Sequence, residues 1–177
     1  NTWMCEGLRK TGDGACMIES IIDNSLVSVT DVSYMKDLFP NMNSCAFIFE
    51  CTKKRGRMTG AFPEQTAEAG SYRGELIGLL AIHLILLSIN KTAPDLTGSV
   101  HIYSDCLGAL NKVQNLPPHR IPSKCRHSDV LKNIMIHCSS LSFTRIFSHV
   151  SAHQDNRKKF DDLSRPAQLN CAVDFGA

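Results

Sequence analysis

The sequence has almost no net charge: 19 lysines and arginines against 17 aspartates and glutamates leave +2. Bulk electrostatics therefore do not mark a nucleic-acid binder, and any such role must rest on local clusters. Among the eight cysteines there is no C-x-x-C pair. Cys125 with His127 and His137 with Cys138 are closely spaced but lack the partner pair that a structural zinc site needs. No secretory signal is present, and Cys45, Cys51, Cys106, Cys138 and Cys171 lie in apolar, strand-like or helical surroundings. They read as reduced core residues of an intracellular protein, cytoplasmic or nuclear. No long apolar run points to a membrane: LIGLLAIHLILLSI, from Leu76 to Ile89, is interrupted by His83 and falls short of the ~20 residues that span a bilayer. It reads as a buried helix, and internal repeats are absent.

What is present suits one folded domain. A hydrophobic fraction of 43% and a charged fraction of 20% over 177 residues are ordinary for a globular chain with a substantial core. The chain starts at Asn1 rather than Met and stops at Ala177 in mid-pattern, so it is expected to be a domain excised from something longer. Residues 1–24 read as an upstream linker or N-terminal extension, and 25–177 as the domain, its last helix truncated. Alternation marks strands at Ser25–Tyr34, Asn43–Thr52 and Arg57–Phe62, with Lys53–Gly56 as a hairpin turn. A long apolar helix follows from Ser71 to about Asn90, then a strand at Val100–Tyr103 and a helix to Gln114. After the proline-rich loop LPPHRIPSKCRHS come an amphipathic helix from Ser128, a strand at Ser142–Val150, a charged loop and a final helix opened by Ser164 and Pro166. This order predicts an α/β fold with a mixed five-stranded sheet, three antiparallel strands then two parallel, and helices on both faces.

Four acids fall at the ends of these elements: Asp31 in the first strand, Glu75 in the first turns of the long helix, Asp105 after the fourth strand and Asp174 in the last helix. The plain readings are that Ser104 or Asp105 caps the next helix and that Glu75 sits at a solvated helix end favoured by the macrodipole. Against them, a carboxylate in an apolar helix is expensive unless paired or metal-bound, and a strand's carboxyl end is where an α/β sheet presents chemistry. Clustered carboxylates repel unless a hard divalent cation neutralises them, and two such ions serve phosphodiester hydrolysis.

The motifs VSVTDVSY, SYRGELIGLLA, VHIYSDCLGAL, HVSAH and LNCAVD, spread in order from Leu26 to Asp174, resemble the ribonuclease H family, in particular the ribonuclease H domains of retrotransposon reverse transcriptases. The resemblance implies a ribonuclease H-like fold and an endonuclease that cuts the RNA strand of RNA–DNA hybrids. It implies two magnesium ions, or manganese in their place, held by Asp31, Glu75, Asp105 and Asp174, with His153 assisting proton transfer or product release. It also implies a reverse transcriptase domain upstream in a parent polyprotein, since no Y-x-D-D motif occurs here, and no membrane partner. Val32 stands where the family usually has Gly, which leaves Asp23 as the rival to Asp31. The segment between His153 and Asp174 is longer than in the cellular enzymes, though Asn170 and Asp174 keep one helical face.

Basic groups that would track phosphates are Lys53, Lys54, Arg55 and Arg57 in the hairpin, Lys124 and Arg126 in the proline-rich loop, and Arg157, Lys158 and Lys159 near the site. Each cluster reads equally as a solvated face. The rival functions are an integrase or transposase-like DNA nuclease of the same fold and an inactive structural or interaction domain. The fourth acid and HVSAH argue against the first, and the retention of all four acids argues against the second.

Overall fold

The computed structural model describes residues 7–12, 14–115 and 121–177. Residues 1–6 and 13 of the expected extension and 116–120 of the proline-rich loop lie outside the described residues. The three alternating segments form an antiparallel meander of β2 (Leu26–Ser33), β3 (Met42–Cys51) and β4 (Arg57–Gln65), with β2 and β3 paired from Leu26↔Cys51 to Ser33↔Ser44. On its other side β2 pairs in parallel with β5 (Ser99–Ser104), which pairs in parallel with β6 (Thr144–His149).

The sheet has six strands rather than five, in the order β1-β4-β3-β2-β5-β6, because β1 (Arg9–Lys10) adds to the outer edge of β4. Helix α1 (Ala15–Ile22) follows it and buries Met17 and Ile21, one turn apart on one face, in the core. The described part of the expected linker or extension is thus packed onto the sheet. Strand β4 runs to Gln65, past the expected end at Phe62. Pro63 is tolerated there because β1 pairs with Met58 and Thr59, and among the described residues no strand pairs with Pro63 on that edge of β4.

Helix α2 (Ser71–Thr92), α3 (Leu107–Gln114) and α4 (Ser128–Cys138) share one apolar core with α1 on one face of the sheet, and α5 (Arg165–Asp174) packs Leu169 and Val173 against Val27, Val29, Ala46 and Ile48 on the other. By length and composition α2 is long and apolar enough to cross a membrane, but it lies in this core, with Leu76, Leu79, Ala81, Ile82 and Leu86 fully buried. His83 is tolerated inside it as a neutral imidazole. Burial pushes its pKa down to about 4, Nδ1 bonds the Leu79 carbonyl at 2.7 Å, and Nε2 meets Arg145 at 3.1 Å.

Two glycines set how closely α2 approaches the sheet. A Cβ on Gly74 would lie 2.2 Å from Val32 Cγ2, and one on Gly78 2.1 Å from Thr30 Oγ1. The helix therefore rests on β2 at Thr30 and Val32, and Glu75, next to Gly74, is carried to the end of the strand that holds Asp31.

Candidate functional site

Strands β2 and β5 pair only as far as Val29↔Tyr103. Beyond that β5 ends at Ser104 while β2 continues to Ser33, so Asp31 and Asp105 flank the opening where the two parallel strands part. It is also where chain connections diverge to opposite sides of β2, the usual place for a ligand in an open α/β sheet. Glu75 enters from α2, and carboxylate oxygens of Asp31, Glu75 and Asp105 lie within 4.8 Å of one another. Among the described residues this is the one group of three or more acidic, histidine or cysteine side chains close enough to hold a metal ion.

Asp31 and Glu75 are 6% and 5% exposed. Burial first, then the charge of Asp105, pushes the Asp31 carboxyl up to about 7, even though Oδ1 accepts a 2.7 Å bond from the Val32 N–H. Burial and the charges of Asp105 and Asp31 push Glu75 up to about 8, against the pull of a 3.0 Å hydrogen bond donated by the Ser104 hydroxyl. Asp105 is raised as well, mainly by burial. Three carboxyls held above their ordinary range by burial, with like charge from Asp105 acting on Asp31 and Glu75 and from Asp174 on Asp105, form a site that gains from a cation.

The capping reading of Asp105 does not hold. The residue at the N-cap of α3 is Cys106, without a side-chain cap, and it is Ser104 Oγ that accepts the Cys106 N–H at 3.0 Å. Asp105 is left to face the other acids.

The fourth acid stands at the rim. Asp174 ends α5 and lies outside the group of three, but its charge acts on both Asp31 and Asp105. Its Oδ2 is 3.2 Å from Nδ1 of His153, which sits on an exposed turn in the left-handed region, φ 48°. Sequence reasoning left two participants unassigned, Ser104 and His149. His149 Nε2 lies 2.9 Å from the Asp105 carbonyl because the parallel register sets His149 opposite Ser104. The signal was the parallel pairing of the two strands, which aligns their carboxyl ends. Asp23, the rival to Asp31, lies before β2 rather than at its far end and is bound by Lys53 at 2.9 Å and Arg55 at 2.6 Å.

The sequence matches no family model and no curated protein. Solved structures do match. The PFV RNase H domain superposes with a TM-score of 0.59 at 15% identity, covering 86% of this chain and 92% of that one. This chain has a ribonuclease H fold. RNase H1 from the archaeon Halobacterium salinarum gives 0.54 at 10% identity, over 86% of this chain and 98% of its own. A foamy viral protease-reverse transcriptase in complex with RNA/DNA hybrid gives 0.50 at 14% identity, over 89% of this chain and 21% of that protein. The ribonuclease H fold accounts for the mixed sheet in which β2 and β5 part.

Proposed function

We propose that this domain hydrolyses the RNA strand of RNA–DNA hybrids. The observation that carries the reading is the set of carboxylates made by buried Asp31 and Glu75 and half-buried Asp105, unneutralised by any lysine or arginine ion pair among the described residues, on a ribonuclease H fold. An all-oxygen donor set fits a hard cation. Asp31, Glu75 and Asp105 would hold two magnesium ions, or manganese in their place, with Asp174 completing the set from the rim. When bound, the ions supply an activated water and stabilise the leaving oxygen. The Val32 N–H and the Ser104 hydroxyl hold Asp31 and Glu75 in one orientation, which limits the reorganisation needed when charge develops. His153, oriented by Asp174 on an exposed turn, carries a proton at the reacting phosphate or helps product leave.

The likeness to a foamy viral protease-reverse transcriptase structure, which contains an RNA/DNA hybrid, supports the substrate. It also supports a reverse transcriptase domain as the partner; a retroelement polyprotein, intracellular, is the parent protein of this reading. A cleavage assay decides the reading, with labelled RNA–DNA hybrid, duplex RNA and duplex DNA, each with magnesium and with chelator. Cutting confined to the RNA strand of the hybrid and dependent on magnesium is expected. Cutting of duplex DNA would transfer the site to an integrase or transposase-like activity, and no cutting of any substrate would make this an inactive domain.

A further inference from the structure

The basic residues of the chain are not equally free to meet a polyanion. In the β3–β4 hairpin Lys53 and Arg55 are bound to Asp23, and Arg57 to Glu50 at 2.8 Å. On α2 and α5, Arg73 is bound to Glu64 and Asp129, and Arg165 to Glu50 at 2.6 Å. Lys54 is free of ion pairs among the described residues, but its hairpin lies at the opposite end of β3 from Ala46, the partner of Asp31. Arg126 shares an open cleft with the acids Glu68 and Asp129.

Arg157, Lys158 and Lys159 differ on each count. They are consecutive, exposed and without an ion pair among the described residues, and they begin four residues after His153. Their backbone is organised. The turn Gln154–Asn156 is closed by the Arg157 and Lys158 N–H groups donating to the Gln154 carbonyl at 3.0 and 3.1 Å. The turn Phe160–Asp162 follows, anchored by buried Leu163 and by Gln168, whose Nε2 donates to the Phe160 carbonyl at 3.1 Å. The acids of the segment leave the cations uncompensated: Asp155 interacts with Cys171 on α5, and Asp161 and Asp162 form no ion pair with the three among the described residues. Arg157 and Lys158 line a shallow cleft of about 350 Å³ with Ser151, Ala152 and Gln154, beside His153. Phe160, which follows Lys159 in the chain, is 47% exposed.

We propose that the strap Arg157–Lys159 grips the phosphate backbone of an RNA–DNA hybrid whose scissile strand lies at the acidic site. The inference rests on the substrate reading above. A cation row joined to His153 by one closed turn meets the backbone next to the cut, where it offsets the repulsion between phosphates and the three acids. Lysine and arginine contacts of this kind fix register without reading bases, and each removes counterions from the nucleic acid.

The test is a fluorescence-anisotropy titration of a labelled RNA–DNA hybrid in calcium, across about 50 to 200 mM salt. It compares the wild type, the triple variant Arg157→Gln/Lys158→Gln/Lys159→Gln and, as a control, Lys53→Gln. The triple variant is expected to bind about tenfold more weakly at the low-salt end, with the slope of log affinity against log salt shallower by up to about three. Lys53→Gln should match the wild type. Equal affinity and slope in wild type and triple variant would overturn the strap while leaving the substrate reading intact. A wild type that binds hybrid through these residues yet fails the cleavage assay would leave the strap and sink the activity. A wild type that does not bind hybrid would overturn both. Lys158→Glu, at an exposed position that folding does not depend on, should weaken binding more than Lys158→Gln does, and equal binding by these two would also count against the strap.

Discussion

Arg73 and Glu75 lie two residues apart on α2, 8% and 5% exposed, and meet opposite surroundings. Arg73 is ringed by carboxylates, with Glu64 at 2.8 Å, Asp129 at 2.9 Å and Glu68 at 3.4 Å. Its hydrogen bonds hold the Asp129 carboxyl below the ordinary range. Glu75 is ringed by its own kind, and its carboxyl is pushed up to about 8. The first cluster ties β4 and α4 to the start of the helix and is complete as it stands. The second lacks its counter-charge. Burying a charge is tolerated when partners compensate it, so a buried cluster without a partner points to a ligand that supplies one.

The largest effect should come from the uncompensated cluster. Asp105→Asn keeps the shape and removes one charge and one ligand oxygen, so cleavage is expected to fall by several kcal/mol of transition-state stabilisation, about 10²–10⁴-fold. Its metal-free melting temperature should hold or rise, because repulsion is relieved. The rise that magnesium gives the wild type by mass action should be blunted. An equal magnesium-induced rise in both proteins would place the ions elsewhere.

Arg73→Met tests the other cluster. Removing the cation leaves Glu64 largely buried with no ion-pair partner and only the Asn43 amide donating to it at 2.8 Å, which should destabilise the fold by roughly 3 kcal/mol, about 10 °C in melting temperature. Cleavage per folded molecule should persist. Lost cleavage with an unchanged melting temperature would mean that Arg73 belongs to the site.

Much of this contrast was legible in the sequence. The strands around Asp31 and Asp105 announce themselves by alternation, and Glu75 stands out because its helix is apolar on nearly all sides. The mixed sheet follows from the order of those elements, and the ribonuclease H fold from the resemblance carried by the motifs on them. What stayed hidden depends on contacts distant in sequence. A two-residue β1 carries no periodicity, and α1 is only eight residues long, so its apolar residues Met17, Ile18, Ile21 and Ile22 span two turns, too short a signal to separate from a linker. Ser104 and His149 join the site through the β5–β6 register, and the Arg73 partners come from β4, the following loop and α4.

A smaller effect sets the sign of the pH dependence. Glu75 and Asp31 titrate at about 8 and about 7 in the folded chain, against ordinary values of 4.5 and 3.8. Between those limits the folded state binds more protons than the unfolded one, so metal-free stability falls as pH rises. The stabilisation is complete below about pH 4 and gone once pH has passed the folded values. Melting temperature in chelator should therefore drop from pH 5 to pH 8, and Glu75→Gln should flatten the drop. Magnesium should reverse the trend, because its ligands must be ionised. A metal-free stability that rises over this range would show that the acids are compensated after all.

The smallest effect is expected at Asp23, the acid that sequence alone left as a rival to Asp31. Its surroundings resemble those of Arg73 rather than those of Glu75. Ser25 donates to Oδ1 at 2.5 Å, Lys53 and Arg55 bind Oδ2, and together they hold the carboxyl well below the ordinary range. A carboxylate so neutralised has little left to offer a metal ion, and it precedes the strand at whose other end Asp31 meets Glu75 and Asp105. Asp23→Asn should thus lower the melting temperature slightly, the more so at low salt, where screening of exposed pairs is weakest. Cleavage and the magnesium-induced rise in melting temperature should equal those of the wild type, while Asp31→Asn should lose both. If Asp23→Asn were the variant that lost them, the site would have to be rebuilt around the amino end of β2, where Lys53 and Arg55 are.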